Sequence, residues 1–366
     1  MIYSLGVDIS KDEFEAHLLS YQLTKQTHQV VACKSFANTR SGFNGCLKWV
    51  RRHTARRPAK LRVTMEATGV YYEGLALYLR QHPRQVHLAV VLPSQSKKFI
   101  GSQGFRSKTD KIDAKGLALM GAERRLEAWG GIDPFWRRLR AMTRTRAELM
   151  NERTALRNRL HALRHSGTTA DQAMEALNEC IKALSKQIDT LYRAICKAMR
   201  EHEQLAELIG YLRTIPGVGL LTIAAVLAET AGFKRFTSLS QLISFSGYDV
   251  VIQESGTWAG QRHISKQGSK YIRRAMFMPA STAIRLDEGP LWEFYQRLRA
   301  KHDTNVKMKA HVAVQKKLLR YMYVLWNKQE AFDPQHIRSL QSHHDNVDKV
   351  SPPEGEATVD PSQAVA

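Results

Sequence analysis

Leu5-Gly-Val-Asp-Ile-Ser-Lys11 closes an apolar stretch that begins at Ile2 and delivers the Asp8 carboxylate at its C-terminal end. Outward from it the chain alternates strand-like and helix-like patterns. Ile2 to Val7, Glu15 to Leu19 and Gln29 to Ser35 read as strands, Arg40 to His53 as a helix and Leu61 to Met65 as a fourth strand. A helix from Tyr71 to Gln81, a strand from Val86 to Leu92 and a helix from Asp110 through Arg125 follow. Three strands, a helix and then further strands and helices in alternation predict a mixed α/β domain over residues 1–130.

That order suits a ribonuclease-H-like fold, and within it four carboxylates stand out. Asp8 and Glu66, the latter in Arg62-Val-Thr-Met-Glu-Ala-Thr-Gly69, each end an apolar strand. Asp110 and Asp113 lie three apart in Lys108-Thr-Asp-Lys-Ile-Asp-Ala-Lys115 and so share one face of a helix start. If the first and fourth strands are neighbours and that helix packs beside them, the four converge. They could then hold hard divalent cations through oxygen, Mg²⁺ being the natural choice, for phosphoryl transfer. Each acid also has a plainer reading: Asp110 could cap the helix, Asp113 could complement its dipole, and Asp12 reads as a turn or cap residue.

From Pro134 to about Leu212 the strand signals stop. Apolar residues at 177, 181, 184, 188, 191 and 195 mark a heptad seam, and the preceding helix, Phe135 to His165, carries nine arginines against Glu148 and Glu152. With a turn over Ser166 to Thr169, residues 134–212 predict an antiparallel coiled-coil hairpin. Its arginines, among them Arg137, Arg138 and Arg144, could form a solvated face or contact nucleic acid. Next, Leu212-Arg-Thr-Ile-Pro-Gly-Val-Gly-Leu-Leu-Thr-Ile223 sets Gly217 and Gly219 between two apolar helical stretches, a helix-hairpin-helix pattern. Such glycines let backbone amides approach a phosphate, or serve only to pack a tight turn. Phe245 to Ile252 reads as a short strand, and helices continue to about Phe332, closing a mainly α-helical region over 213–332.

The whole chain of 366 residues carries 55 Lys and Arg against 34 Asp and Glu, a net +21. Residues 337–366, with two basic and five acidic residues and three prolines, read as a disordered acidic tail; the rest then carries 53 basic and 29 acidic residues, a net +24. Charge of this density is the footprint of a nucleic-acid partner, although a ribosomal or membrane-surface protein could share it. A content of 43% hydrophobic residues excludes disorder throughout, and the length of 366 residues predicts two or three domains. No apolar run approaches the ~18 residues of a bilayer span and no basic leader follows Met1, so a soluble cytoplasmic protein without membrane attachment is expected. Cys33, Cys46, Cys180 and Cys196 show no spacing that suggests a zinc site or disulfide framework.

Gln253-Glu-Ser-Gly-Thr-Trp-Ala-Gly-Gln-Arg-His-Ile-Ser-Lys-Gln-Gly-Ser-Lys-Tyr-Ile-Arg-Arg274 places Ser255 ahead of a dense basic run. A hydroxyl here could attack phosphorus if a base or metal activates it, with Arg262, Lys266, Lys270, Arg273 and Arg274 neutralising the phosphate. Spacing alone equally allows an ordinary Ser-Gly turn, and His263 reads as a surface or hydrogen-bonding residue.

Taken together, Gly6-Val-Asp8-Ile-Ser-Lys, Glu66-Ala-Thr-Gly-Val-Tyr, Lys108-Thr-Asp110-Lys-Ile-Asp113-Ala, Ile215-Pro-Gly-Val-Gly and Ser255-Gly with His263-Ile-Ser-Lys-Gln-Gly and Arg273-Arg resemble the insertion-sequence-110 family of DEDD transposases, which includes the Piv-type DNA invertases. The resemblance runs from Met1 to about Phe332. It implies a RuvC-like N-terminal domain holding Mg²⁺ with Asp8, Glu66, Asp110 and Asp113, a coiled-coil insertion, and a C-terminal transposase domain whose nucleophile maps to Ser255. It further implies a covalent phosphoserine link to DNA and movement through a circular intermediate between donor and target DNA. A structured bridge RNA as guide, and dimers paired into a tetramer with one chain's carboxylates serving another's serine, complete the expectation, in a bacterial, nucleoid-associated setting. The chain departs from the family pattern after Ser246-Gly-Tyr, where Asp249-Val-Val-Ile replaces the usual apolar-proline step. Two other readings compete: a RuvC-type metal-dependent junction nuclease that uses the four carboxylates and no serine, and a non-catalytic nucleic-acid binder.

Overall fold

The computed structural model describes residues 1–54, 61–67, 69–82, 86–105, 107, 109–131, 133–166, 171–255, 258–260, 262–300 and 306–335. The acidic tail read over 337–366, and all but Ser166 of the hairpin turn, lie outside these. The chain divides into two compact units, Met1–Gly131 and Ile132–Ala366.

The first unit runs β1 (Ile2–Ile9), β2 (Glu13–Gln22), β3 (Thr27–Ala37), α1 (Arg40–His53), β4 (Leu61–Glu66), α2 (Tyr72–Arg80), β5 (Val86–Val91), α3 (Pro93–Ser102) and α4 (Asp110–Glu123). Its sheet has the order β3-β2-β1-β4-β5, with the first three strands antiparallel and β4 and β5 parallel to β1. Alternation along β1 sorts its residues between two layers. Leu5, Val7 and Ile9 join a core with Phe43 and Leu47 of α1 and Leu75 and Leu79 of α2. Ser4 and Gly6 face α4, to which Ser4 Oγ donates at the Ala118 carbonyl (2.6 Å).

The second unit is helical apart from one small ribbon: α5 (Pro134–His165), α6 (Asp171–Glu201), α7 (Glu203–Arg213), α8 (Leu220–Thr230), α9 (Leu239–Ser246), β6 (Val250–Val251), β7 (Glu254–Ser255), β8 (Trp258–Ala259), β9 (His263–Ile264), α10 (Lys270–Arg285), α11 (Gly289–Ala300) and α12 (Lys307–Lys328). Arg153 of α5 donates to Ser185 of α6, and Arg146 stacks on Tyr192. Seven residues back along α5 is seven forward along α6, so the two helices are antiparallel. Ile188 and Ile195 of the heptad positions are buried, and Leu177, Ile181, Leu184 and Leu191 are half-buried among exposed neighbours. At the base of this pair Trp136, Leu139, Ile195 and Met199 join one core with Leu212, Ile223, Leu227, Tyr248, Met276 and Leu318. The regions read as 134–212 and 213–332 therefore share a core.

The expected strand over Phe245 to Ile252 needs correction. Phe245 and Ser246 end α9, which starts at the Ser238 cap and stops where Gly247 turns left-handed (φ 68°), and only Val250–Val251 pairs as a strand. Leu239, Leu242 and Ile243 carry the 3–4 spacing that made this a helix. Helix α3 is a further element with no counterpart among the predicted ones. Among the described residues no helix is long and apolar enough to cross a membrane.

Candidate active site

Three matched steps bring the carboxylates together. Ser4 meets Ala118, and at Gly6 a Cβ would lie 1.9 Å from the Ala114 carbonyl oxygen, so strand and helix backbones touch. Two residues along a strand and four along a helix cover similar lengths, about 6–7 Å each. Continuing the steps places Asp8 level with Asp110, and both Asp110 and Asp113 sit in the first turn of α4. Glu66 arrives through the parallel pairing of β1 and β4: Val7 lies beside Met65, making Asp8 and Glu66 the next residues of each strand. The cap of α4 is Thr109, whose side chain accepts from the Ile112 amide, so capping does not account for Asp110.

Electrostatics report the convergence. The Asp8 carboxyl is pushed up to about 6 by burial and by the negative charges of Asp110, Asp113 and Glu66. A cation at this place would relieve that repulsion, and four carboxylates suit a hard divalent ion. The acids lie in Asp8's field without forming a closed ligand set: among the described residues no three His, Cys, Asp or Glu groups gather tightly enough to hold an ion.

Two side chains that carry no signal in the sequence support this end of the sheet. Ser96 of α3, fully buried, donates from Oγ to Glu66 Oε2 at 2.5 Å. Asn38 donates to the carbonyls of Ser10, Lys11 and Tyr71, tying the turn after Asp8 to the start of α2. The turn residue Asp12 contributes its carbonyl to the Asn38 amide.

Ser255 stands on a narrow ribbon. Val250 and Val251 pair with Ile264 and His263, Gly260 N–H donates to the Gln253 carbonyl, and Ser255 pairs with Trp258 nearest the tip, where it is exposed. At the ribbon's root Asp249, the departure from the family pattern, accepts from Ser265 Oγ (2.6 Å), and its carbonyl accepts from Ser265 N–H. Gly247 and Gly268 permit close backbone contact there: a Cβ on Gly268 would lie 2.2 Å from the Phe245 oxygen.

The basic candidates divide by what they touch. Lys266, Lys270, Arg274 and Arg138 are exposed and Arg137 is half-buried. Arg262 pairs with Glu254 on the ribbon (3.1 Å). Arg273 is tied to the carbonyls of Ser246 and Gly268. Arg144 makes a two-pronged contact (2.6 and 2.9 Å) with Glu229, which is 2% exposed, and its guanidinium covers the Tyr271 ring. Glu229, which nothing in the sequence singles out, also accepts from Ser269, the cap of α10. Gly217 is left-handed (φ 79°), and a Cβ there would lie 2.7 Å from the Pro279 oxygen, a packing reason for this glycine; a Cβ on Gly219 would meet open space at the start of α8.

Two transposase family models match the chain: a DEDD transposase model of the IS110 type over residues 5–165 and a model of the IS116/IS110/IS902 transposase family over residues 209–296. The first spans the four carboxylates and the second spans Ser255. The pilin gene-inverting protein of Moraxella bovis is 28% identical over 332 residues, 90% of this chain and 97% of that one. The transposase for insertion sequence element IS1111A of Coxiella burnetii is 22% identical over 357 residues, 90% of each chain. A solved fowlpox virus Holliday junction resolvase matches 33% of this chain and 99% of its own at 14% identity, with a TM-score of 0.24, too loose a superposition to bear on the fold.

Proposed function

The chain belongs to the IS110 family of transposases, enzymes that act on DNA, and from that premise we propose that it cuts and rejoins donor and target DNA through Ser255, assisted by a divalent cation, Mg²⁺ by preference, at Asp8, Glu66, Asp110 and Asp113. The observation that carries the metal half is Asp8, whose carboxyl is raised by the charges of the other three acids. A bound cation would stabilise negative charge developing on phosphate oxygens. The strand order β3-β2-β1-β4-β5 supports reading the first unit as RuvC-like. Ser255 is supported by its place on an exposed ribbon whose return strand leads through Lys266 to the basic start of α10.

In the proposed step the Ser255 Oγ–P bond forms as the bond from phosphorus to the departing sugar oxygen breaks. The hydroxyl proton passes to a base, and the departing oxygen takes one up. Rejoining reverses this with a new strand end. Exposed Lys266, Lys270 and Arg274 neutralise phosphate, and the exposed arginines of α5 offer a surface to a structured guide RNA, the bridge RNA of the element itself. Dimers assembled into a tetramer complete the reading, with the hairpin helices as a coiled coil and the Gly219 end of α8 as a backbone contact to phosphate.

A second reading, a junction nuclease using the carboxylates alone, is favoured by the same Asp8. The test is to incubate purified protein with Mg²⁺, RNA transcribed from the element's flank and DNA carrying the element's junction, and to look for a denaturant-stable protein–DNA adduct. An adduct present in wild type and absent in Ser255→Ala is the expected result. Cleavage without an adduct that survives Ser255→Ala and is lost in Asp8→Ala would overturn the serine reading in favour of the nuclease.

A further inference from the structure

The structure assigns a positioning role to Tyr248, Gln315, His311 and Ser281, which form a one-way hydrogen-bond relay that fixes the root of the ribbon and, through it, the presentation of Ser255. The inference rests on the proposed role of Ser255. Tyr248 is fully buried between Gly247 and Asp249, whose carbonyls accept from the amides of Lys266 and Ser265 on the returning strand. Its own side chain links the ribbon to the helical core, beside the bonds of Arg273 to the Ser246 and Gly268 carbonyls.

The direction of the relay follows from the chemistry of its members. Tyr248 donates its hydroxyl hydrogen to Gln315 Oε1 at 2.7 Å. The amide nitrogen of Gln315 then faces His311 Nδ1 at 2.9 Å. An amide NH₂ only donates, so Nδ1 is the bare ring nitrogen and the hydrogen sits on Nε2. Nε2 donates to Ser281 Oγ (2.9 Å), which passes its own hydrogen to the Phe277 carbonyl (3.1 Å). Turning the Gln315 amide over would leave the Tyr248 hydroxyl hydrogen without an acceptor among the described residues, a costly loss in a buried place. The Phe277 ring lies 4.7 Å from the imidazole, and burial holds His311 below its ordinary value, in keeping with a neutral ring.

Around the relay the core is hydrocarbon: Met276, Leu318, Leu319 and Met322 are fully buried. Hydrocarbon packing fixes volume with little preference for orientation, whereas a satisfied polar chain penalises every misplaced rotamer. Tyr248 is thereby held in one position between α10 and α12.

Amide hydrogen exchange on the full-length protein reads this directly, because the amides of Gly260, Ser265 and Lys266 are the ribbon's own cross-links. Gln315→Leu is expected to speed exchange at these three by about tenfold or more while leaving the amides of α8 unchanged. The yield of Ser255 adduct should fall by a similar factor with nucleic-acid binding retained. Tyr248→Phe and His311→Leu should behave alike, and His311→Gln, which offers an acceptor and a donor in the same order, should restore both readouts. Unchanged ribbon exchange in Gln315→Leu and Tyr248→Phe overturns the proposal. So does faster exchange spread equally over α8, which marks ordinary core packing, or a His311→Gln variant no better than His311→Leu. The exchange measurement needs no DNA chemistry: wild-type protein that forms no adduct sinks the serine reading, and the ribbon amides still decide the relay.

Discussion

Asp8 ionises late in the folded chain, at about 6 against an ordinary 3.8, because burial and three neighbouring acids oppose its charge. Between those values the unfolded chain releases this proton and the folded chain keeps it. The contribution of Asp8 to the stability of the cation-free protein should therefore fall as pH rises from about 4 to 6 and gain nothing back above it, read as a widening difference between Asp8→Asn and wild type. Asp8→Asn removes the penalty. Allowing for solvent screening of a half-buried group, the variant should be more stable than wild type by on the order of 1 kcal/mol at pH 7.5 without divalent ions, by urea unfolding. Mg²⁺ should narrow that difference, since only wild type keeps the full carboxylate set. A stability difference between Asp8→Asn and wild type that is flat from pH 4 to 7 would remove the electrostatic account of the site. Gly6 gives a second residue-scale prediction. Its missing Cβ would overlap the Ala114 carbonyl and the Ala118 amide, backbone atoms that cannot rotate away. Gly6→Ala should cost about 3 kcal/mol and push the Asp110 turn away from Asp8, seen as a lower melting temperature together with the loss of Mg²⁺ stabilisation.

At the scale of elements, the junction of α5, α8 and α10 hangs on Glu229, which accepts from Arg144 and from Ser269. Removing Arg144 leaves a buried carboxylate short of its counter-charge. Arg144→Met should therefore destabilise by about 3 kcal/mol and leave the salt dependence of nucleic-acid binding unchanged. Exposed Arg138→Met should do the reverse, with stability within about 0.5 kcal/mol and a salt slope reduced by about one if it touches phosphate. Equal salt slopes for Arg138→Met and wild type would take Arg138 out of the interface. Sequence could not separate these two arginines, because the distinguishing partner lies 85 positions away from Arg144. Strands β1 and β4 were legible because each is an apolar run with an acid at or next to its end, a local signal. Helix α3 was not: Pro93 at its start is a helix signal, but its ten residues bury only Ser96 and Phe99 and so show no periodicity. The ribbon root was not legible either, because Phe245 belongs to α9 and the polarity there is satisfied from α12, far along the chain.

At the scale of the whole molecule, the carboxylates and Ser255 lie in different compact units and under different family models, the first of which runs on past Gly131 to residue 165. The residues themselves point to both groups of the proposed chemistry, whereas the sharing of a site between two chains is only what the family resemblance implies. Mixing two inactive variants decides this. In a dimer of one Asp8→Asn chain and one Ser255→Ala chain, sites completed within a chain are all dead, each lacking one group. Sites completed between chains fare differently: one combines both lesions, and the other joins intact carboxylates to an intact serine. With random exchange about half the dimers are mixed and half their sites are live, so the mixture should recover about a quarter of wild-type adduct. Each variant alone should give none, which controls for residual activity. Recovery that grows with the time allowed for subunit exchange would confirm shared sites. A mixture as inactive as its components, after exchange has been verified by labelled subunits, would place the carboxylates and the serine of each site in the same chain.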